Sequence, residues 1–175
     1  MVDKEDQTVP GFCTLCICKA TVADLRVIEH NVDTVCREGI YLVPSRFILP
    51  QSWRKILVAG GELDNDLIIV AEVKGRVVGH GRMFTTAGTS AHVADLGMAL
   101  IPGFRDQGIG SRMVTYMLHW ARQKGLRKVT LGVFASNKRA IHVYEKFGFA
   151  VEGVLAEQHD VDGQYVDELL MAKFL

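Results

Sequence analysis

Asp95-Leu96-Gly97-Met98-Ala99-Leu100-Ile101-Pro102-Gly103-Phe104-Arg105-Asp106-Gln107-Gly108-Ile109-Gly110-Ser111 is the stretch on which the reading of this chain turns. An apolar strand ends at Pro102-Gly103, a glycine-rich loop follows, and a helical pattern begins. Met113, Val114, Met117, Leu118 and Ala121 fall at helical spacing, with Gly125 as a stop. Glycines ahead of a helix let backbone N–H groups approach an anion, and the helix N-terminus adds partial positive charge. The loop is therefore expected to bind a phosphate or pyrophosphate. It is not a Walker A loop: Gly103 and Gly108 have the spacing, but Ile109 and Gly110 stand where Lys and Ser/Thr belong. Nor is it a dinucleotide fingerprint, because Met113 occupies the third glycine position. What remains is R-x-x-G-x-G.

Upstream of this loop the chain alternates as an antiparallel sheet does. Leu67 to Val73, the Lys74-Gly75 turn and Val77 to Thr85 read as a hairpin, and Val93 to Ile101 as the third strand of a meander. Before the hairpin, Cys13 to Ala20 reads as a first strand and residues 1 to 11 as a loose tail. Thr21 to Glu38 reads as a helix, capped by Thr21 with Asp24 three residues on and striped by Leu25, Ile28, Val32 and Val35. A shorter helix is expected over Ser52 to Ala59, stopped by Gly60-Gly61. Downstream come a strand over Val129 to Ala135, a helix marked by Ala140, Val143, Tyr144 and Phe147, and strands over Phe149 to Val154 and Tyr165 to Leu175. The order β-α-α-β-β-β-α-β-α-β-β implies one α/β domain over residues 12 to 175, a mixed, mostly antiparallel twisted sheet with about four helices.

Composition sets the outer bounds. The chain has 175 residues, 49% of them hydrophobic, with 20 Lys+Arg against 20 Asp+Glu. That excludes a disordered chain and gives no global pull toward nucleic acid or membrane, so no direct nucleic-acid binding is expected. No apolar run reaches the roughly 20 residues of a bilayer span, and the start MVDKEDQTVP lacks the marks of a signal peptide. A cytoplasmic protein is expected, and a homodimer is compatible with this composition. Cys13-x-x-Cys16 invites a zinc or redox reading, but Cys36 stands alone and no His completes a ligand set. The expectation is no metal, with the thiols packed in a strand in a reducing compartment.

A second motif supplements the first. Ala135-Ser136-Asn137-Lys138-Arg139-Ala140-Ile141-His142-Val143-Tyr144-Glu145-Lys146-Phe147-Gly148-Phe149 carries an N-x-x-A-x-x-x-Y-x-x-x-G-F pattern. Together, in this order and at this separation, the two motifs resemble the signatures of the GNAT N-acetyltransferase superfamily. The end of the chain, Val161 to Met171, is similar to the small prokaryotic branch of ribosomal-protein and phosphinothricin-type acetyltransferases. The resemblance runs from about Thr14 to Leu175. It implies a GNAT-like acyl-CoA N-acyltransferase fold in which the family's fourth and fifth strands, here Val93 to Ile101 and Val129 to Ala135, splay apart.

The resemblance also implies roles. Acetyl-CoA is the expected co-substrate, its pantetheine arm pairing with the backbone of Met98, Ala99 and Leu100, and the Leu100 N–H facing the thioester carbonyl. The N–H groups of Asp106, Gln107, Gly108, Ile109, Gly110 and Ser111 are expected on the pyrophosphate, with Arg105 and Arg139 adding charge or standing as surface residues. Asn137 and Tyr144, seven residues apart, share one helix face. The family binds pantetheine with this Asn and sets this Tyr beside the thioester sulfur as a general acid. Read as ordinary residues, Asn137 is an N-cap, Tyr144 a core aromatic and Met98 to Leu100 a core strand. The base departs from the family pattern. Gly132 and Ala94 hold the positions where relatives carry a Glu, which leaves Asp95 and Glu38 as carboxylates acting directly or through water. The expected function is acetyl transfer from acetyl-CoA to a primary amine of a small molecule or a protein. The alternative is a CoA-binding regulatory module without turnover.

Overall fold

The computed structural model describes residues 6–9, 12–40 and 47–175. Among them lie strands β1 (Asp6–Val9), β2 (Phe12–Lys19), β3 (Glu62–Leu63), β4 (Asp66–Val73), β5 (Arg76–Thr85), β6 (Val93–Leu100), β7 (Lys128–Phe134), β8 (Ala150–Val161) and β9 (Gln164–Phe174). The helices are α1 (Leu25–Cys36), α2 (Gln51–Val58), α3 (Ile109–Gln123) and α4 (Lys138–Lys146). The strands form one sheet in the order β1-β2-β4-β5-β6-β7-β9-β8, with β3 paired onto β4. Every pairing is antiparallel except β6 with β7.

The element order matches the sequence reading, with differences at the edges. Asp6–Val9, read as tail, pairs with β2. So polar a segment carries no apolar alternation to announce a strand. The closing hairpin is longer than its apolar residues suggest, since β8 runs on to Val161 through polar residues. In the sequence Glu38-Gly39-Ile40-Tyr41 reads as the break after the first helix, and its last residue, Tyr41, lies outside the described residues.

Local chemistry explains the helices. Asp24 Oδ2 accepts from the Thr21 N–H at 2.8 Å and from its hydroxyl at 3.0 Å, fixing the turn that leads into α1. Ile28, Val32 and Val35 are buried on one face of α1, and Asn31 beside them donates to Val77 O at 2.9 Å. α3 buries Ile109, Met113, Val114, Met117, Leu118 and Ala121. Each such aliphatic side chain contributes about 1.5–3 kcal/mol of transfer free energy.

Alternation along the strands divides the core into two layers. Leu67, Ile69, Val129, Leu131 and Val133 pack with α3 and α4, whereas Ile68, Val70 and Val77 pack with α1 and α2. β6 and β7 pair only through Val93, Ala94 and Asp95 against Lys128, Val129 and Thr130. Beyond Asp95 the two strands diverge and open a slot through the sheet. On β2, Leu15 and Ile17 are the buried residues, while Cys16 and Cys18 are half-buried on the other face. Burial, together with Cys16 and Glu72 nearby, pushes the Cys18 thiol up to about 12, so it stays protonated. The side chain of Cys13 lies outside the described residues. No group of three or more metal-ligating side chains occurs among the described residues.

Candidate active site

A cavity of about 500 Å³ occupies the slot. From the α3/α4 layer it is lined by Gly108, Gly110, Ser111, Asn137 and Tyr144; from the α1/α2 layer by Val32, Cys36, Trp53 and His80. The cavity thus passes through the sheet.

One mouth is the glycine loop. Gly108 is the N-cap of α3 with φ 78°, and Asp106 also lies in the left-handed region with φ 61°. A turn of this shape needs glycine at the cap and turns the first N–H groups of α3 outward. Gln107 closes the loop by donating to Gly103 O at 2.8 Å. A Cβ on Gly110 would meet only Met98 Cε and Leu100 Cδ1, at 3.5 and 3.7 Å, so the position looks onto the strand that lines the slot. Ile109 is buried in the α3 core and offers only its main chain. The residues present therefore fit a diphosphate seated on a helix N-terminus.

Of the three strand residues expected along the slot, the main chain divides by side. The Ile101 N–H donates to Val78 O at 3.0 Å, toward β5. Strand alternation then turns the Leu100 and Met98 N–H groups the other way, into the slot, and that of Ala99 toward β5.

Arg105 crosses from the loop to the end of α1. Its Nη1 and Nη2 donate to the two Glu38 oxygens at 2.7 and 2.6 Å, and its Nε donates to Leu100 O at 2.9 Å. Glu38 is therefore committed to a guanidinium, and Arg105 brings a neutralised charge. Arg139 pairs with Asp106 at 3.1 Å, both groups being largely exposed. Asp95 Oδ2 accepts from Arg82 Nη1 at 2.6 Å, and Asp95 lines the slot.

Asn137 caps α4, its Oδ1 accepting from the Ala140 N–H at 3.1 Å. Two turns on, Tyr144 is 6% exposed and packs edge-on to Phe149 at 5.7 Å between ring centroids. Burial, and then the Asp95 carboxylate, push its phenol well above the ordinary tyrosine value, with Arg82 acting the other way. A tyrosine so placed stays protonated and can donate.

One group in the slot was missed by sequence reasoning. Glu168 of β9 stands over Gly132 of β7: a Cβ built on Gly132 would fall on Glu168 Oε1. Its other oxygen, Oε2, lies 2.9 Å from His159 Nε2 of β8. The only sequence-level signal was the glycine, a position that needs an absent side chain.

The pattern of the acetyltransferase (GNAT) family matches residues 37–149, which spans both motifs and the slot between them. The chain belongs to that family. A GNAT relative, the L-amino acid N-acetyltransferase AaaT of Escherichia coli, is 33% identical over 110 residues, 60% of this chain and 66% of that protein. The chain thus matches just under two thirds of that relative's length. Among solved GNAT structures, the acetyltransferase of Streptococcus pneumoniae superposes with a TM-score of 0.83 at 23% identity, over 92% of this chain and 99% of that one. A phosphinothricin acetyltransferase from Sinorhizobium meliloti, solved in complex with AcCoA, gives 0.78 at 18% identity, over 92% and 88%. These likenesses establish the GNAT fold, with its divergent central strands, for this chain.

Proposed function

We propose that the protein is an acetyl-CoA-dependent N-acetyltransferase that moves the acetyl group directly to a primary amine, with residues 12–175 acting as one catalytic domain. The observation that carries this reading is the slot between β6 and β7, which joins the α3 N-terminus to buried Tyr144 and continues as a chamber beside Val32, Phe47 and Trp53 on the other face of the sheet. When bound, acetyl-CoA supplies the activated thioester. The outward N–H groups of residues 106–111 hold its pyrophosphate, and the Met98 and Leu100 N–H groups pair with its pantetheine arm beside Asn137. Leu100 N–H faces the thioester oxygen and stabilises negative charge there. Tyr144 holds the proton that the departing sulfur takes. Glu38, clamped by Arg105, tethers the end of α1 to the loop; burial, with the Asp95 charge adding to it, keeps Tyr144 protonated.

The acceptor enters through the chamber lined by Val32, Phe47, Trp53 and His80. Its apolar walls fit an amine with an apolar body. Free Cys16, Cys18 and Cys36 suit a reducing compartment, so a cytoplasmic site of action is part of the proposal. Among the described residues no helix is long and apolar enough to cross a membrane. A homodimer is also proposed, on the exposed Val151, Val154 and Leu155 of edge strand β8; sedimentation equilibrium decides it.

The test is acetyl-CoA consumption with a panel of L-phenylalanine, L-methionine, spermidine, phosphinothricin and an alanyl-terminated peptide. Turnover with any of them supports the reading. Acetyl-CoA binding by calorimetry without turnover on the panel favours a regulatory CoA-binding module.

A further inference from the structure

We infer that Glu168 is the general base of this site and that His159 is its positioning partner. The inference rests on the acetyltransferase reading above and assigns the proton acceptor that the two motifs lack. A primary amine arrives as ammonium, with a pKa near 10, and must lose a proton before its nitrogen can attack. The slot offers few groups to take it. Both oxygens of Glu38 are held by Arg105. Asp95 has its Oδ2 in an ion pair with the Arg82 guanidinium, a full cation, at 2.6 Å. Glu168 has Oε2 held by His159, a neutral or singly protonated ring, and Oε1 over Gly132 with no hydrogen-bond partner among the described residues.

The placement is built. Alternation sends Leu131 and Val133 of β7, with Leu169 and Met171 of β9, into the α3/α4 layer. Gly132 and Glu168 therefore look the other way, to the face of the acceptor chamber. Tyr144 belongs to the α3/α4 layer, so proton donor and proton acceptor sit at opposite sides of the slot. That is the arrangement a transfer needs when the thiol leaves on one side and the amine enters on the other.

His159 is aimed by an irregularity in β8. Leu155 opposes Glu168 and His159 opposes Val166, so β8 spends two extra residues there. Glu157 in that bulge has φ 51°, and its N–H is held by Asp167 Oδ1 at 2.8 Å. Bulges of this kind re-aim a side chain, and a strained non-glycine residue persists only where its surroundings fix it. The imidazole then stacks on Phe134, 4.8 Å between ring centroids. The side chains of the pair are 12% and 22% exposed, and Glu168 lines the cavity.

The titratable and charged groups around the carboxylate are His159 and Glu152 from β8, the latter paired with Lys128 of β7; Asp95 from β6 with Arg82 from β5; and, across the slot, the neutral Tyr144 from α4. In the step itself, Glu168 Oε1 takes one proton from R–NH3+. The freed lone pair forms the N–C bond, the C–S bond breaks with its electron pair on sulfur, and sulfur takes the Tyr144 proton. The second N–H proton passes to solvent, and Glu168 and Tyr144 return to their starting forms with net transfer of one proton between them. Overall, ammonium and thioester give amide, thiol and one released proton.

Glu168→Gln tests this, because it keeps the volume over Gly132 and a hydrogen bond to His159. The acceptor used is the fastest amine of the panel above. Wild-type turnover bears on the acetyltransferase reading; only the ratio of wild type to variant bears on Glu168. The expected result at pH 7 is a loss in kcat/KM of about 10²-fold or more, the usual worth of a positioned base. Without the base, reaction runs through the free amine, whose fraction rises about tenfold per pH unit below its pKa. The deficit should therefore shrink steadily as pH approaches 10. Acetyl-CoA affinity by calorimetry and the melting temperature should match wild type. A deficit that stays constant with pH, or activity within about threefold of wild type at pH 7, overturns the assignment, and weakened acetyl-CoA binding in the variant overturns it equally.

Discussion

Both carboxylate oxygens of Glu38, at the end of α1, accept from the two terminal nitrogens of Arg105, in the loop that precedes α3. The third N–H of the same guanidinium donates to Leu100 O, at the end of the strand that lines the slot. One side chain thus ties together the helix beside the acceptor chamber, the anion loop and the slot wall. A bidentate guanidinium–carboxylate pair fixes orientation as well as distance, which a lysine cannot do.

Glu38→Gln takes from half-buried Arg105 the carboxylate that holds two of its nitrogens. The expected cost is about 1–3 kcal/mol of folding stability, the range for removing one partner of a charged hydrogen bond. Acetyl-CoA affinity should fall several-fold because the loop loses its anchor. Chemical denaturation and calorimetry check the two effects, and wild-type values in both would reduce the clamp to a surface contact.

Gly108 and Gly110 should separate. Gly108→Ala places a side chain at φ 78° and is expected to destabilise the fold by about 1–2 kcal/mol. Gly110→Ala meets only ordinary contacts at 3.5 Å and beyond, so helix propensity favours it by up to ~1 kcal/mol. Gly110→Glu, in contrast, sets a negative charge beside the diphosphate and should abolish measurable acetyl-CoA binding in a folded protein. Unchanged affinity would remove the loop from the cofactor site.

Tyr144→Phe takes away one hydroxyl and should leave the melting temperature and acetyl-CoA affinity near wild type. The turnover number should fall by about 10²-fold or more. The loss should shrink for an acyl donor with a more acidic thiol, since that leaving group needs less help. Equal losses on both donors would point to misplacement of the cofactor.

His80 is 5% exposed, packs on Trp53 at 5.6 Å and has no hydrogen-bond partner for its Nδ1 among the described residues. Burial, and then Arg82, lower it from the ordinary 6.5 to about 4. The unfolded chain therefore binds the extra proton between those values, so folding stability is full above pH 6.5 and declines as pH falls toward 4. The size is on the order of 3 kcal/mol at about 1.4 kcal/mol per unit. His80→Leu should remove that part of the acid slope, read from denaturation midpoints at pH 7 and pH 4.5; an unaltered slope would assign it elsewhere.

Much of this architecture was written in local sequence. The helical spacing from Met113 to Ala121, the Lys74-Gly75 turn, the Thr21 and Asn137 caps and the R-x-x-G-x-G loop are each set by residues within a few positions of one another. Local chemistry suffices for them: capping, turn preference and periodic burial act over one or two turns. Those features were enough to name the family and to expect an anion at the start of α3.

The proton-handling groups on the acceptor side were decided only by the tertiary structure. Gly132 and Glu168 are 36 residues apart and meet because β7 and β9 pair in one register, Phe134 opposite Glu168. A slip of one residue would turn Glu168 into the α3 layer. His159 reaches it through a bulge whose Glu157 N–H donates to Asp167 on the neighbouring strand, and Arg105 reaches Glu38 across 67 residues. No local spacing encodes such meetings. They depend on strand register and on which carboxylate is already spent on an arginine, and the folded sheet alone settles both.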